Sequence, residues 1–201
     1  MKKIIFTALI LILSCANYNF DWDNLTYDEA VVDYNKPIML YFYATWWGPC
    51  KMLEASTFKD KEIINLAKNN FINLKINAET EYGMPLFNRF NGTGYPLILF
   101  LDSNGNELDR ISGFLPDYEF IIKMQNILNG KNTFTYYLDE YNKNNHSSEI
   151  LFALANKYKE KNEIDKAISL YKQLLNSSNV SKSDYDNSKY SLAILSIQKN
   201  N

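Results

Sequence analysis

The residues of this 201-residue chain whose types and spacing suit chemistry lie in one run, Trp46-Trp47-Gly48-Pro49-Cys50-Lys51. A cysteine acts as nucleophile or redox partner through its thiolate, so its neighbours and exposure decide what it does. Two readings of Cys50 stand side by side. One is a small, inert core thiol, since free cysteine is among the most buried residue types. The other is a reactive thiol that forms mixed disulfides with a client or a small thiol. The second cysteine is Cys15. If Cys15 is lipidated or removed, Cys50 is alone and no internal disulfide can form. The single histidine, His146, sits in a polar stretch without a cysteine or carboxylate cluster, so no metal-ligand set is expected. No glycine-rich phosphate loop or hydrolase elbow is present, and no cofactor is expected.

Composition narrows the classes further. Hydrophobic residues make up 46% of the chain and the formal net charge is −2. That is enough apolar material for a packed core and offers no basic face for nucleic acid. Lys2 and Lys3 precede an apolar run from Ile4 to Leu13 that only Thr7 interrupts. Such a run suits a signal peptide and is too short for a membrane-spanning helix. Ile12-Leu13-Ser14-Cys15 resembles a lipobox, with Leu13 where a small residue is more usual. Residues 1–15 are thus expected to be a signal peptide of the lipoprotein type, with Cys15 lipidated and the chain exported to a membrane surface facing the periplasm or outside. Plain secretion and an uncleaved anchor are the alternatives.

Residues 16–22 read as a tether. Thr26-Tyr27-Asp28-Glu29 has the form of a capping box and opens a helix that Pro37 stops. Ile38 to Ala44 is a continuous apolar run, as in a strand buried on both faces. A helical pattern runs from Lys51 through Ala67, and Phe71 to Ile76 alternates like a strand. Pro85 to Phe90 suggests a helix ending near Asn91-Gly92, and Pro96 to Leu101 is a second buried strand. Asp102 to Asn106 signals a turn, after which Glu107 to Gly113 returns as a hairpin strand. Tyr118 to Leu128 closes the pattern as a helix. This order predicts an α/β sheet, parallel first and antiparallel last.

The motif, its preceding strand and the order of elements resemble the thioredoxin family over residues 23–131. Thr45 to Lys51 is similar to that family's W-C-G-P-C-K motif, and Tyr95-Pro96 falls at its cis-proline position. Ala55 to Ile63 is most similar to the exported subgroup that includes the C-terminal domain of the periplasmic thiol–disulfide interchange transporter. The resemblance implies a thioredoxin fold, a central mixed sheet flanked by helices. It also places the attacking cysteine at position 47, where this chain has Trp47, and the resolving cysteine at Cys50. Tyr41 stands where many members have a buried aspartate that assists proton transfer. Both departures point away from dithiol exchange. The candidate peptide-binding residues are Trp46, Trp47, Gly48, Pro49, Tyr95 and Pro96: the resemblance implies that the backbone before the cis-proline holds an extended peptide, Trp46 reads first as a packing residue, and Trp47 is expected to project at the exposed tip.

Beyond residue 131 glycine and proline are absent. Residues 132–147 read as a helix and linker, and 148–201 as further helices. Leu151, Ala155, Tyr158, Ala167, Tyr171 and Leu174 resemble one tetratricopeptide repeat, with spacings of 4, 3, 9, 4 and 3. Tyr190, Ala193, Ile194 and Ile197 suit the first helix of a truncated second repeat. The alternative is a generic helical hairpin. The functional expectation is a cell-envelope, non-redox polypeptide-binding or chaperone-like module that holds a client or partner protein. The alternative is a single-cysteine thiol–disulfide oxidoreductase acting through Cys50.

Overall fold

Two uninterrupted apolar runs, Ile38–Tyr43 and Leu97–Leu101, form the central strands of the sheet, because each is covered on both faces. A computed structural model describes residues 19–33, 36–177 and 179–200. The expected signal segment, Cys15 and the first residues of the tether lie outside them. The strands β1 (Ile38–Tyr43), β2 (Ile72–Asn77), β3 (Leu97–Leu101) and β4 (Glu107–Ser112) stand in the order β2-β1-β3-β4. β1 runs parallel to β2 and antiparallel to β3, and β3 and β4 form the closing hairpin.

Alternation along β1 assigns its two faces. Ile38, Leu40 and Phe42 pack with α1 (Tyr27–Asp33) and α4 (Gly83–Arg89). Met39 and Tyr41 pack with α2 (Gly48–Ala55), α3 (Lys61–Asn70) and α5 (Asp117–Leu128). This mixed sheet with helices on both faces is a thioredoxin fold. The capping box at the start of α1 is formed: Glu29 Oε2 accepts the Thr26 N–H at 2.7 Å, and Thr26 Oγ1 accepts the Glu29 N–H at 3.2 Å. The hairpin turn is tied by Asp102, whose Oδ1 accepts the Asn104 and Asn106 N–H groups at 2.9 and 2.8 Å. Gly105 is required there, since its φ is +80° and a Cβ would meet the Tyr27 hydroxyl at 2.5 Å.

Two expectations are corrected. The helical pattern from Lys51 to Ala67 is not one helix. It breaks at Ser56 into a short 3₁₀ turn, Thr57–Lys59, before α3 restarts with Asp60 as its cap. The Asp60 carboxylate accepts the Glu62 and Ile63 N–H groups, a local bond that competes with helix continuation. The tether is also not free at its described end. Phe20 and Trp22 pack against the core beneath Tyr41 and Phe58, and Asp23 joins β2 through Asn73.

The tail is helical throughout: α6 (Phe134–Asn142), α7 (Ser148–Glu160), α8 (Ile164–Leu175) and α9 (Lys182–Asn200). Leu151, Ala155, Tyr158, Ala167, Tyr171 and Leu174 are all buried in one cluster. In α9 the buried face is Ser188, Ser191 and Leu195, whereas Tyr190, Ile194 and Ile197 are exposed. The tail covers the edge strand β4 through charge. Asp109 accepts Lys157 at 2.8 Å and Lys123 at 2.6 Å, and Glu107 accepts Arg110 at 2.6 Å and Lys161 at 2.5 Å. Of these partners, Lys157 and Lys161 belong to the tail, so it is these two that tie it to the edge strand. No described helix is long and apolar enough to cross a membrane.

Candidate functional site

The site lies where β1 ends and α2 begins. After Tyr43 the chain turns through Ala44 to Trp46, and Trp47 takes the N-cap position of α2 with an extended backbone. Gly48 and Pro49 follow in the first turn, where proline is tolerated because its missing N–H has no partner to lose. The Cys50 N–H reaches back to the Trp47 carbonyl at 3.1 Å. Cys50 therefore lies on the inner side of the first turn, free and only 1% exposed. The positive end of α2 points at position 47, where a thiolate would gain from it and an indole gains nothing.

Both indoles are held. Trp47 is exposed, at 38%, and its side chain is tied to a neighbouring backbone group. Its Nε1–H donates to the Tyr95 carbonyl at 2.7 Å. Trp46 is 59% exposed, and its Nε1–H is shared by the two oxygens of Glu79 at 2.9 and 3.0 Å. The two rings meet edge to face at 5.3 Å. Tyr95-Pro96 is a cis peptide, and the Pro96 carbonyl accepts the Gly113 N–H at 2.8 Å. The structure thus brings Trp47, Gly48, Pro49, Tyr95 and Pro96 to one end of the sheet. Trp46 stands beside them and Cys50 behind them.

Behind Cys50 stands a polar line that sequence reasoning missed. Tyr41 is fully buried, with its hydroxyl beside the Cys50 thiol. Burial first, and then the neighbouring thiol and Glu54 carboxylate, push the Tyr41 hydroxyl far above its ordinary pKa, so it stays protonated. That hydroxyl donates to Glu54 Oε1 at 3.2 Å, and Glu54 in turn pairs with Lys75 at 3.0 Å. The spacing held the signal: Glu54 is one turn along α2 from Cys50, and Lys75 on β2 is the register partner of Tyr41. Tyr41 therefore puts a neutral hydroxyl next to the thiol where the resemblance implied a carboxylate.

The comparisons bear on the family of this domain. A family model described as a thioredoxin-like domain matches residues 28–128, half of the chain. The thiol:disulfide interchange protein DsbD of Yersinia pestis is 37% identical over 94 residues, covering 45% of this chain and 16% of that protein. The DsbD of Campylobacter jejuni is 33% identical over 91 residues, again 45% of this chain and 16% of the relative. The match thus spans about a sixth of the length of these relatives. Among solved structures, a thioredoxin from Thermus thermophilus is 22% identical with a TM-score of 0.47, covering 51% of this chain and 83% of its own. A structure described as DsbH oxidoreductase is 20% identical with a TM-score of 0.46, covering 64% and 95%. The chain belongs to the thioredoxin-like domain family.

Proposed function

We propose that this protein is a cell-envelope polypeptide-binding module of the thioredoxin-like family that does not run dithiol exchange. One observation carries the reading. Position 47, at the exposed N-terminus of α2, holds an indole bonded to the Tyr95 carbonyl, and the remaining thiol, Cys50, is 1% exposed behind it. Dithiol exchange needs a thiolate that reaches a substrate sulfur and a second thiol that resolves the mixed disulfide. An indole does neither. What this end of the sheet offers is aromatic surface from Trp46 and Trp47 and the backbone of Tyr95-Pro96, which suits a polypeptide segment.

In this reading the helices α7 and α8 act as a tetratricopeptide-like repeat and supply a second protein contact. A lipidated Cys15 holds the protein on a membrane surface facing the periplasm or outside. The partner is a client or companion polypeptide, with no metal, cofactor or nucleic acid. A second reading is favoured by the line from Cys50 through Tyr41 and Glu54 to Lys75, which links the thiol to solvent. There Cys50 alone forms mixed disulfides, in keeping with relatives named for thiol:disulfide interchange.

Insulin reduction with dithiothreitol as reductant separates the two, together with Cys50 alkylation in the folded protein. The binding reading expects no turnover and slow alkylation, alongside measurable binding of a reduced, carboxymethylated unfolded protein. Rapid alkylation and a trapped client disulfide that vanishes in Cys50→Ser decide for the second reading.

A further inference from the structure

The sheet ends at Tyr95 with a backbone acceptor that the strand ladder does not serve. β3 pairs with β1 only as far as Leu97 opposite Phe42. On the other side, the Pro96 carbonyl is taken by Gly113 of the segment after β4. β1 has by then ended at Tyr43, and the chain has turned away through Ala44. The donor that the Tyr95 carbonyl finds is the Trp47 indole, at 2.7 Å. That indole is an exposed side chain on the N-cap residue of α2, and its neighbour Trp46 is held separately by Glu79.

We infer that Trp47 is a displaceable cap on this acceptor. An extended polypeptide adds to the end of the sheet by donating a backbone N–H to the Tyr95 carbonyl, and it does so in competition with the indole N–H. The inference rests on the polypeptide-binding reading and adds how that site is regulated. The exchange replaces one N–H donor with another, so the acceptor is never left bare. The cap therefore weakens client binding without forbidding it, and the released indole lies beside Trp46 as apolar surface for the incoming chain. Segments that present a free backbone N–H in extended form are selected.

The test uses the full chain and a fluorescein-labelled ten-residue peptide alternating valine and lysine, read by fluorescence anisotropy. Trp47→Phe keeps an aromatic ring at the position and removes the N–H together with the pyrrole ring that carries it. It is expected to bind about two- to tenfold more tightly than the unsubstituted protein, the worth of one net hydrogen bond. N-methylation of the peptide's alternate backbone amides is expected to abolish that gain. Equal or weaker binding by Trp47→Phe overturns the cap and leaves polypeptide binding standing. Failure of every variant to bind this peptide and a carboxymethylated unfolded protein removes the polypeptide-binding reading, and the cap with it. Hydrogen exchange of the indole N–H groups gives a second measurement. Saturating peptide is expected to quicken exchange at Trp47 and leave Trp46 unchanged; no change at Trp47 overturns the cap.

Discussion

The two ends of β3–β4 solve the same problem by different means. At the Trp47 end, backbone and thiol groups are met by neutral partners: an indole N–H on the Tyr95 carbonyl, and a tyrosine hydroxyl beside Cys50. At the edge of β4, polar groups are met by charge. Two carboxylates, Glu107 and Asp109, bind Lys123, Lys157, Lys161 and Arg110. Neutral partners exchange readily because releasing one leaves little uncompensated charge. A buried ion pair is different, since removing one member strands the other at a large desolvation cost. In the proposed reading the Trp47 end carries the adaptable contact and the charged joint between sheet and tail the fixed one.

Substitutions in the charged joint break this comparison most severely. Asp109→Ala removes a carboxylate that is 1% exposed in the intact protein and takes from Lys157 and Lys123 the partner they share. A loss of about 3–5 kcal/mol is expected, read as a fall of roughly 6–20 °C in Tm. A drop no larger than that of an exposed control substitution would remove the joint from the account. Next in size is the thiol. Cys50 in the folded protein is expected to alkylate roughly a hundredfold more slowly than in urea, because access requires local opening. Trp47→Cys is expected to restore partial insulin reduction. No gain at all would show that Tyr41 and the groove have diverged beyond a simple reversal.

Acid provides a third, smaller probe. Burial alone would raise the Glu107 carboxyl, but Arg110 and Lys161 outweigh it and hold its pKa below the ordinary value of 4.5. A carboxylate depressed in the folded state contributes stability above its unfolded pKa and loses it as pH falls through the folded value. Tm is therefore expected to decline below about pH 4.5 in the unsubstituted protein. In Glu107→Gln it should start lower at neutral pH and depend less on acid. Identical acid limbs for the two proteins would contradict the assignment. The smallest effect belongs to Trp46→Phe, which removes an exposed bond to Glu79 and should cost under about 1 kcal/mol by chemical denaturation. A larger loss would mean that Trp46 is held as firmly as the joint, and the contrast between the two regions would fail.

Much of the fold was legible because its signals are local. The capping box of Thr26 and Glu29, the Asp102 turn and the buried runs of β1 and β3 act within a few residues and formed as read. The break at Ser56 was missed because apolar spacing continues across it, while the Asp60 cap competes through backbone bonds that periodicity does not register. The α9 face differed for a related reason. Small Ser188 and Ser191 allow close approach to the neighbouring helix, leaving the larger Tyr190 and Ile194 outside. In the candidate site, the residues now gathered around Trp47 and Cys50 could be named in advance, but their partners could not. Glu54, Lys75 and Glu79 carry no motif, and the tail's lysines look like a solvated helix face until β4 is beside them.

The sequence by itself determined which chemistry is absent at position 47, since tryptophan has no ionisable thiol in any conformation. It also determined the order of helices and strands, because period and turn residues act locally. Only the tertiary structure decided what Trp47 does instead. An indole N–H is a donor in search of an acceptor, and the Tyr95 carbonyl comes within 2.7 Å only when β1 and β3 lie side by side. The burial of Cys50 and the docking of the tail on β4 were decided in the same way. Both depend on groups far apart in the chain whose energies appear only once water is excluded between them.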